Sequence, residues 1–231
     1  MPESNHYDVI VIGGGAAGLM CALTAGQAGR SVVLIEHANR VGKKILMSGG
    51  GRCNFTNTGA TPANFLSANP HFCKSALARY PPGRFIELVK RHGIAFHEKE
   101  LGQLFCDLSS KQIVQMLIDE CNLGGVRIET GANIHEVRAL VPGFAVHGSL
   151  GSLRTGALVI ASGGLSIPSM GASGYGYALA TSFGHGVLPT RAALVPLTFT
   201  GSHLDTTLIS VGCQCRYAHA SARSASRTPC C

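Results

Sequence analysis

Charged residues are scarce in this 231-residue chain, at 13% of the sequence, and long apolar runs are absent. No run reaches the roughly 20 residues that a transmembrane helix needs, so the sequence predicts no membrane partner. The N-terminus also lacks the basic region and long apolar stretch of a signal peptide, and carries the acidic residues Glu3 and Asp8 instead. We therefore expect a cytoplasmic protein.

Cysteine spacings typical of metal sites are lacking too, although the chain contains nine cysteines. There is no C-x-x-C pair and no zinc-ligand spacing, so we expect no metal site. Five of the nine are scattered through an α/β pattern: Cys21, Cys53, Cys73, Cys106 and Cys121. Scattered cysteines in a reducing compartment are mostly small buried hydrophobic residues, which argues against a secreted disulfide scaffold.

Glycine, in contrast, is abundant, and the formal net charge is +7. High glycine with low charge is typical of a ligand-binding α/β protein with many tight turns. The mild basicity permits an RNA partner without requiring one. The length allows one large domain or two small ones, and nothing in the sequence indicates an oligomeric state.

The first forty residues contain a βαβ pattern. Residues 7–12 and 31–35 are short apolar runs rich in β-branched residues, and residues 16–28 are rich in helix formers. The first turn has the G-x-G-x-x-G sequence Gly13-Gly14-Gly15-Ala16-Ala17-Gly18, and Glu36 follows the second run. A strand, helix, second strand and acid in register are the context of a dinucleotide-binding site. The alternative is a glycine-rich turn in an ordinary α/β protein.

Each residue of this motif has a physical role in dinucleotide binding. Gly13 permits the tight turn, Gly15 lets a pyrophosphate approach the backbone, and Gly18 allows the helix to pack closely on the sheet. The helix N-terminus offers free N–H groups to the phosphates. The Glu36 carboxylate would accept hydrogen bonds from ribose hydroxyls, which favours FAD or NAD over NADP.

A second glycine cluster lies at residues 49–57. Three glycines are followed by Arg52, Cys53 and Asn54, and this loop can lie against a flat ligand and donate hydrogen bonds to it. The alternative is a surface loop, because Asn and Thr are ordinary turn residues.

The rest of the chain predicts a helical insertion at about 60–125, followed by strands. Within the insertion we expect helices over 85–91 and from Ser109 or Ser110 to about Cys121. The further expected elements are strands at 126–129 and 133–137, an antiparallel meander at 144–147 and 154–155, a buried strand at 158–161, a helix at about 177–183, and a β region at 187–189 and 194–197. Residues 211–231 have no apolar period and no acid.

These motifs resemble bacterial flavoproteins of the BaiN/RdsA type, and most closely the RdsA-like branch. The resemblance is carried by VIGGGAAGLMCA at 11–22, KKILMSGGGRCNFTN at 43–57, HFCKSALARY at 71–80, LGQLFCD at 101–107 and ASGGLSIPSMGAS at 161–173. It covers about residues 5–210. It implies an α/β fold: a glutathione-reductase-like FAD-binding Rossmann domain over 1–190, with an incomplete β-rich substrate domain beginning at 191–210.

The resemblance also implies positions for the cofactor. Gly13, Gly14, Gly15, Ala16, Ala17 and Gly18 would hold the FAD pyrophosphate, and Glu36 the adenosine ribose. Lys44 and the loop containing Gly50, Gly51, Arg52, Cys53 and Asn54 would lie near the flavin. Ile134 would contact adenine, and Ala161, Ser162 and Gly163 would pass close to the cofactor. No second G-x-G-x-x-G is present, so NAD(P)H would visit the flavin only transiently.

The implied reaction is reduction of an activated C=C bond by hydride from reduced flavin. The implied substrates are uridine in large-subunit ribosomal RNA or a small enone, and the motifs favour RNA. The proton donor is not identified, and Tyr175, Cys53 and His97 are candidates by residue type. An oxygen-using amine oxidase is a further alternative.

The C-terminal part departs from the family pattern. Family members return to the FAD domain with a glycine-rich segment, which this sequence does not contain. We therefore expect a truncated or frameshifted reading frame, with an unpacked tail at 211–231 and an inactive fragment as one reading of the chain. A divergent genuine tail is the alternative.

Overall fold

The computed structural model describes residues 5–167 and 170–191. The chain divides into two compact units, Met1–Gly186 and Val187–Cys231. Of the second unit only residues 187–191 are described, and they form no strand, although a β region was expected to begin at 187. The expected strand at 194–197, most of the substrate segment at 191–210 and the tail at 211–231 lie outside the described residues. The domain boundary near residue 190 stays a prediction.

The first unit alternates strands with helices. The strands are β1 (His6–Ile12), β2 (Val32–Glu36), β3 (Asn54–Asn57), β4 (Phe96–Glu98), β5 (Gln103–Cys106), β6 (Arg127–Thr130), β7 (Ile134–Ala139), β8 (Phe144–Gly148) and β9 (Gly151–Ile160). The helices are α1 (Ala16–Gln27), α2 (Lys43–Met47), α3 (Lys74–Arg79), α4 (Pro82–Arg91), α5 (Ser110–Leu123) and α6 (Tyr175–Ser182). In the part of the chain that the structure describes, no helix has both the length and the apolar character needed to cross a membrane.

A six-stranded sheet organises this unit, in the order β6-β2-β1-β9-β8-β7. The first four strands are parallel, and β8 and β7 add an antiparallel edge. In the parallel part, Ile12 of β1 pairs with Ile35 of β2 on one side and with Ile160 of β9 on the other. The residues that follow these three positions therefore reach the same edge of the sheet.

Side-chain alternation along β1 separates two apolar cores. Val11 belongs to a core with Leu19 of α1 and Leu117 of α5, whereas Ile10 and Ile12 belong to a core on the other face. Because both faces are covered, the central strands are apolar throughout, as expected for parallel strands. Burying each such side chain stabilises the fold by about 1.5–3 kcal/mol.

The region at 60–125 is less helical than the sequence predicted. A second, three-stranded sheet has the order β3-β5-β4, so two of its strands lie inside the expected helical insertion. Phe55 of β3 packs against Phe85 of α4 and Phe96 of β4. Strands of three or four residues are too short to produce a clear alternation, which is why the sequence pattern did not indicate them.

Two further elements differ from the predicted pattern. The segments expected separately at 154–155 and 158–161 form one strand, β9, which pairs antiparallel with β8 and parallel with β1. The meander therefore belongs to the main sheet. The α5 helix packs against α1, where a Cβ on Gly26 would lie 2.6 Å from the Gly124 carbonyl oxygen. It thus covers the main sheet, although the sequence grouped it with the insertion.

Candidate dinucleotide-binding site

The carboxyl ends of β1 and β9 meet at Gly13. The Ala161 N–H donates to the Ile12 carbonyl oxygen at 2.7 Å, and the Gly13 N–H donates to the Ile35 carbonyl oxygen at 2.8 Å. Gly13 has a φ of 108°. A Cβ there would lie 2.5 Å from the Ala161 carbonyl oxygen. Both the backbone conformation and the close approach of the two chains therefore require glycine at this position.

The other glycines of the motif divide into two kinds. A Cβ on Gly18 would overlap the Gly13 carbonyl oxygen, and a Cβ on Gly14 would lie 2.6 Å from the Val41 side chain. Gly15 has an ordinary φ of −78° and would meet no protein atom within 4 Å of its Cβ. The fold thus requires Gly18, whereas Gly15 faces open space at the start of α1.

The first turn of α1 completes this cradle. Ala16 and Ala17 are exposed, and the Leu19 N–H is the first to bond back into the helix, to the Gly15 carbonyl oxygen at 2.9 Å. The N–H groups before it have no partner within the helix, as at any helix N-terminus. They lie beside the open space at Gly15, where an anionic group would find both hydrogen-bond donors and the positive end of the helix dipole.

Glu36 lies against the glycine loop rather than apart from it. The carboxylate is buried, with the residue 8% exposed. Its Oε2 accepts from the Gly14 N–H at 2.6 Å, and its Oε1 accepts from the Ala38 N–H at 2.8 Å. His37 Nδ1 lies 3.0 Å from Oε1. The carboxylate therefore fixes the loop, and only its remaining lone pairs can accept hydrogen bonds from a ligand.

Lys44 and residues 161–166 meet on the other side of the loop. The Gly42 N–H donates to the Gly14 carbonyl oxygen at 2.8 Å, which anchors the start of α2. From α2, Lys44 Nζ donates to Ser166 Oγ at 2.9 Å and passes close to Gly163. Ser162 Oγ is buried and has no hydrogen-bond partner among the described residues. An unsatisfied hydroxyl at this point is the kind of group that a bound polar ligand would satisfy.

The second glycine loop follows α2. Gly50 and Gly51 have positive φ angles and open space around them, whereas a Cβ on Gly49 would lie 2.6 Å from the Phe105 ring. Arg52 and Asn54 are exposed, and Cys53 is buried with a φ of 54°. The loop is therefore a shaped turn held against β5, with its exposed polar groups free to bind. Contact between this loop and the cradle at Gly15 stays a prediction.

Ile134 begins β7, two residues after Ala132, which is hydrogen-bonded to Glu36. The Ala132 N–H donates to the Glu36 carbonyl oxygen at 3.1 Å, and the Gly131 N–H donates to the Ala38 carbonyl oxygen at 2.8 Å. The Ile134 side chain packs against the second apolar core. Its backbone is thus near the expected ribose position, and an adenine contact stays a prediction.

The three candidate proton donors lie in separate environments. Cys53 belongs to the core below α1 and α5, and burial raises the pKa of its thiol. His97 lies in β4, where its Nδ1 is 2.7 Å from Asp107 Oδ1. Tyr175 begins α6 and packs on the opposite core, and burial raises its pKa as well. The structure does not bring these three side chains together.

Three residues near the motif were not singled out from the sequence. Val41 packs on Gly14, and Gly42 has a φ of 73° that lets its N–H reach the Gly14 carbonyl oxygen. His37 lies close to Gly171, whose Cβ would be 2.9 Å from His37 Nε2. The sequence Val41-Gly42 before Lys43 could have indicated the first two residues. The contact of His37 with Gly171 could not be predicted, because Gly171 lies in a loop far along the chain.

Other ligand sites are not indicated in residues 5–167 and 170–191. No group of three or more His, Cys, Asp or Glu side chains there is arranged to hold a metal. A depression of about 400 Å³ is lined by residues such as His6, Phe144 and Arg154, at the opposite ends of β1 and β9. It shares no residue with the glycine cradle.

Comparisons with known proteins agree with this architecture. The chain is 53% identical over 209 residues to a ribosomal RNA dihydrouridine synthase of Escherichia coli, covering 90% of this chain and 52% of that protein. It is 30% identical over 190 residues to a 3-dehydro-bile acid delta(4,6)-reductase of Clostridium scindens, covering 81% and 46%. The chain thus spans about half the length of the curated relatives it matches.

A structural match shows the fold alone. The glycine oxidase of Geobacillus kaustophilus superposes with a TM-score of 0.53 at 16% identity, over 78% of this chain and 58% of that one. The model of the HI0933-like protein Rossmann domain matches residues 7–220. The α/β Rossmann fold and the family resemblance predicted from the sequence are confirmed, and the chain belongs to the HI0933-like Rossmann family.

Proposed function

We propose that this protein is an FAD-dependent oxidoreductase that reduces an activated C=C bond with hydride from NAD(P)H. The observation that supports this proposal most strongly is the glycine cradle, residues 13–18, at the carboxyl ends of β1, β2 and β9. There, Gly13 and Gly18 are required by the fold, and Gly15 is open to a ligand. In a G-x-G-x-x-G motif at a helix N-terminus, a glycine that the fold itself does not require is explained by a pyrophosphate approaching the backbone.

The residues present could contact the pyrophosphate, the adenosine ribose and the flavin of one FAD molecule. The N–H groups of Gly15, Ala16 and Ala17 would face the pyrophosphate, and the remaining lone pairs of Glu36 would accept from the adenosine ribose. Ser162 Oγ, which is buried without a described partner, would gain one from the cofactor. Lys44, Arg52 and the turn at 49–54 would lie toward the flavin and add positive charge there.

When bound, FAD supplies two-electron hydride chemistry that no side chain can perform. The protein's own contribution is to hold the cofactor, to exclude water and to provide a proton. Burial raises the pKa of Cys53, which keeps its thiol protonated at neutral pH. The donor itself is not assigned, since Cys53, His97 and Tyr175 lie in different environments.

The substrate class follows from the relatives' names and from shared chemistry. Making dihydrouridine and reducing a conjugated steroid-like ring both add hydrogen across a C=C bond next to a carbonyl group. At 53% identity against 30%, the ribosomal RNA relative is the nearer of the two described. We therefore favour uridine of large-subunit ribosomal RNA as the substrate, with a small enone as the alternative. A uracil would have to leave its stack to reach the cofactor.

The test begins with FAD content. Gly15→Val should reduce FAD bound by the purified chain at least tenfold without lowering its melting temperature in the absence of FAD. The fold leaves room for the Cβ, and only the ligand is blocked. Gly83→Val is the control, because Gly83, like Gly15, has no protein atom within 4 Å of its Cβ. Unchanged FAD content in Gly15→Val would refute the pyrophosphate assignment.

The second stage separates the substrates. FAD-loaded protein is bleached anaerobically with NADH or NADPH and then mixed with uridine-containing RNA, with a steroid enone, or with air alone. Rapid recovery of the yellow colour with RNA, and dihydrouridine in the product, supports the proposal. Recovery only with the enone supports the alternative substrate. Reduction by an amine followed by recovery with air would instead indicate an amine oxidase.

A further inference from the structure

The chain carries an unusually one-sided charge pattern beside the candidate site. No Asp or Glu occurs from residue 37 to residue 86. The same stretch contains seven basic side chains: Arg40, Lys43, Lys44, Arg52, Lys74, Arg79 and Arg84. The overall charge of +7 is therefore concentrated in part on residues 37–86, which include the second glycine loop.

The second half of this stretch, residues 58–84, exposes aromatic rings. Phe72 is 79% exposed, Phe65 is 49% exposed and Tyr80 is 39% exposed. Lys74, Arg79 and Arg84 are exposed between and beside them, and none forms an ion pair with another described residue. We call the six side chains Phe65, Phe72, Tyr80, Lys74, Arg79 and Arg84 the exposed basic-aromatic patch.

Local hydrogen bonds give this segment a defined shape without covering the rings. Thr61 and Asn64 form a capping box, and the His71 N–H donates to Asn69 Oδ1 at 3.0 Å. The Cys73 thiol lies 3.9 Å from the Pro62 carbonyl oxygen, which holds the two turns side by side. The backbone is thus organised by its own turns, while the Phe72 ring and the basic side chains are exposed and the Phe65 and Tyr80 rings are partly exposed.

Both ends of the segment are anchored near the glycine loop. Before it, β3 continues directly from Asn54 and pairs with β5. After it, Phe85 of α4 packs on Phe55 of β3, with ring centroids 6.0 Å apart. The segment that carries the patch therefore follows directly after β3, the strand that begins in the second glycine loop.

We propose that the exposed basic-aromatic patch binds single-stranded RNA and guides it toward the glycine loop. This inference rests on the proposed function, since it names the surface that would hold the RNA substrate. Unpaired cations beside exposed rings are the combination that unstacked nucleotides require: the cations contact phosphates, and the rings stack on bases. Residues 37–86 themselves contribute no carboxylate that would repel the phosphate backbone.

The first arm of the test measures the ionic contacts. Binding of a fluorescent uridine-rich RNA oligonucleotide to the full chain is followed by anisotropy at several salt concentrations. Lys74→Gln with Arg79→Gln should weaken binding and reduce the magnitude of the salt slope by about 1.4, at about 0.7 for each single-strand phosphate contact. Arg154→Gln is the control, because Arg154 is exposed in β9 about 20 Å before its carboxyl end.

The second arm measures stacking. Phe72→Ala should lower RNA affinity about tenfold and leave the salt slope unchanged, because the ring carries no charge. Leu123→Ala is the matched control, since Leu123 is a similarly exposed apolar residue at the end of α5. Circular dichroism and melting curves check that each variant is folded.

The outcomes separate this inference from the proposed function. RNA binding is measured without FAD or turnover, so failure to bind FAD leaves this test intact. Wild-type affinity and salt slope in both patch variants would overturn the inference, even if the protein reduces RNA. Analytical ultracentrifugation tests the alternative that the patch binds a second copy of this chain. If the wild-type chain is a dimer and Phe72→Ala is a monomer, the patch is a dimer interface and the RNA-binding inference is overturned.

Discussion

Glu36 has two roles that compete for the same oxygen atoms. Its carboxylate already accepts from the Gly14 and Ala38 N–H groups. A ribose would use the lone pairs that remain, so the Glu36 side chain links the conformation of the glycine loop to the affinity for a nucleotide. The G-x-G-x-x-G pattern predicted the acid at this position, but not that it also holds the loop.

We expect Glu36→Gln to weaken both folding and FAD binding. The amide places an NH₂ group opposite one backbone N–H, so one charge-assisted hydrogen bond is lost, with a cost of about 1.5–3 kcal/mol in the free energy of unfolding. Urea unfolding without FAD and FAD titration measure the two effects. Glu136→Gln is the control, because its Arg138 partner is exposed and such pairs contribute at most about 1 kcal/mol. A loss of FAD affinity with unchanged unfolding would mean that the loop does not depend on Glu36.

The glycines show how far residue-level prediction reaches. The turn at Gly13 and the close packing at Gly18 follow from the motif, and both are seen in the contacts that a Cβ would make. The contact of Gly14 with Val41 depends on a residue far along the chain, which no local pattern reveals. The sequence also leaves the relation of the 49–54 loop to the cradle undetermined, because it depends on α2 and on distant residues.

At the scale of elements, the buried carboxylate of Glu120 joins three helices. Glu120 of α5 is 2.8 Å from His92 Nε2 at the end of α4, and it accepts from Gln27 Nε2 of α1 at 2.6 Å. Arg91 lies 3.6 Å away. These hydrogen bonds, led by that from His92, lower the pKa of Glu120 below its ordinary value of about 4.5. The ionised carboxylate thus stabilises the packing of α1, α4 and α5.

Acid should therefore loosen this packing in a way that Glu120→Gln removes. The folded pKa is depressed, so the stabilisation is fully present above about pH 4.5 and is lost as the pH falls through the folded pKa. The wild-type free energy of unfolding should fall more steeply with acid than that of Glu120→Gln. Chemical unfolding at pH values from 7 down to about 3 measures the difference. Parallel profiles for the two proteins would show that Glu120 contributes nothing to the pH dependence.

Elements were predicted well where their signal is local and poorly where it is not. The β1-α1-β2 unit has two short apolar runs, a run of helix formers and the glycine motif within forty residues, and the structure has it almost as predicted. The first half of β9 pairs with β8, and mainly the second half pairs with β1. The two halves therefore have different hydrophobic patterns, and the sequence predicted two separate elements. The placement of α5 on the main sheet depends on the approach of Gly26 to residue 124 across the chain.

At the scale of the whole molecule, the site joins parts that are distant along the chain. The first loop, Glu36, α2 and residues 161–166 are connected by hydrogen bonds between residues far apart in the sequence, such as Lys44 and Ser166, which are 122 positions apart. A ligand that contacts all of them would link these parts further. Such a ligand should stabilise the folded state as a whole, because it binds that state and not the unfolded chain.

We therefore expect FAD to raise the melting temperature of the chain. At a free FAD concentration one hundred times the dissociation constant, the stabilisation is about 2.7 kcal/mol. For a chain of this size, that corresponds to a rise of about 5–10 °C. ADP should give a smaller rise, and 2′-phospho-ADP, which differs from ADP only by its 2′-phosphate, less again, because that phosphate would meet the Glu36 carboxylate. Differential scanning fluorimetry across the three ligands, with Gly15→Val as the control, measures the series. Equal stabilisation by ADP and the 2′-phosphorylated ligand would show that Glu36 does not face the ribose.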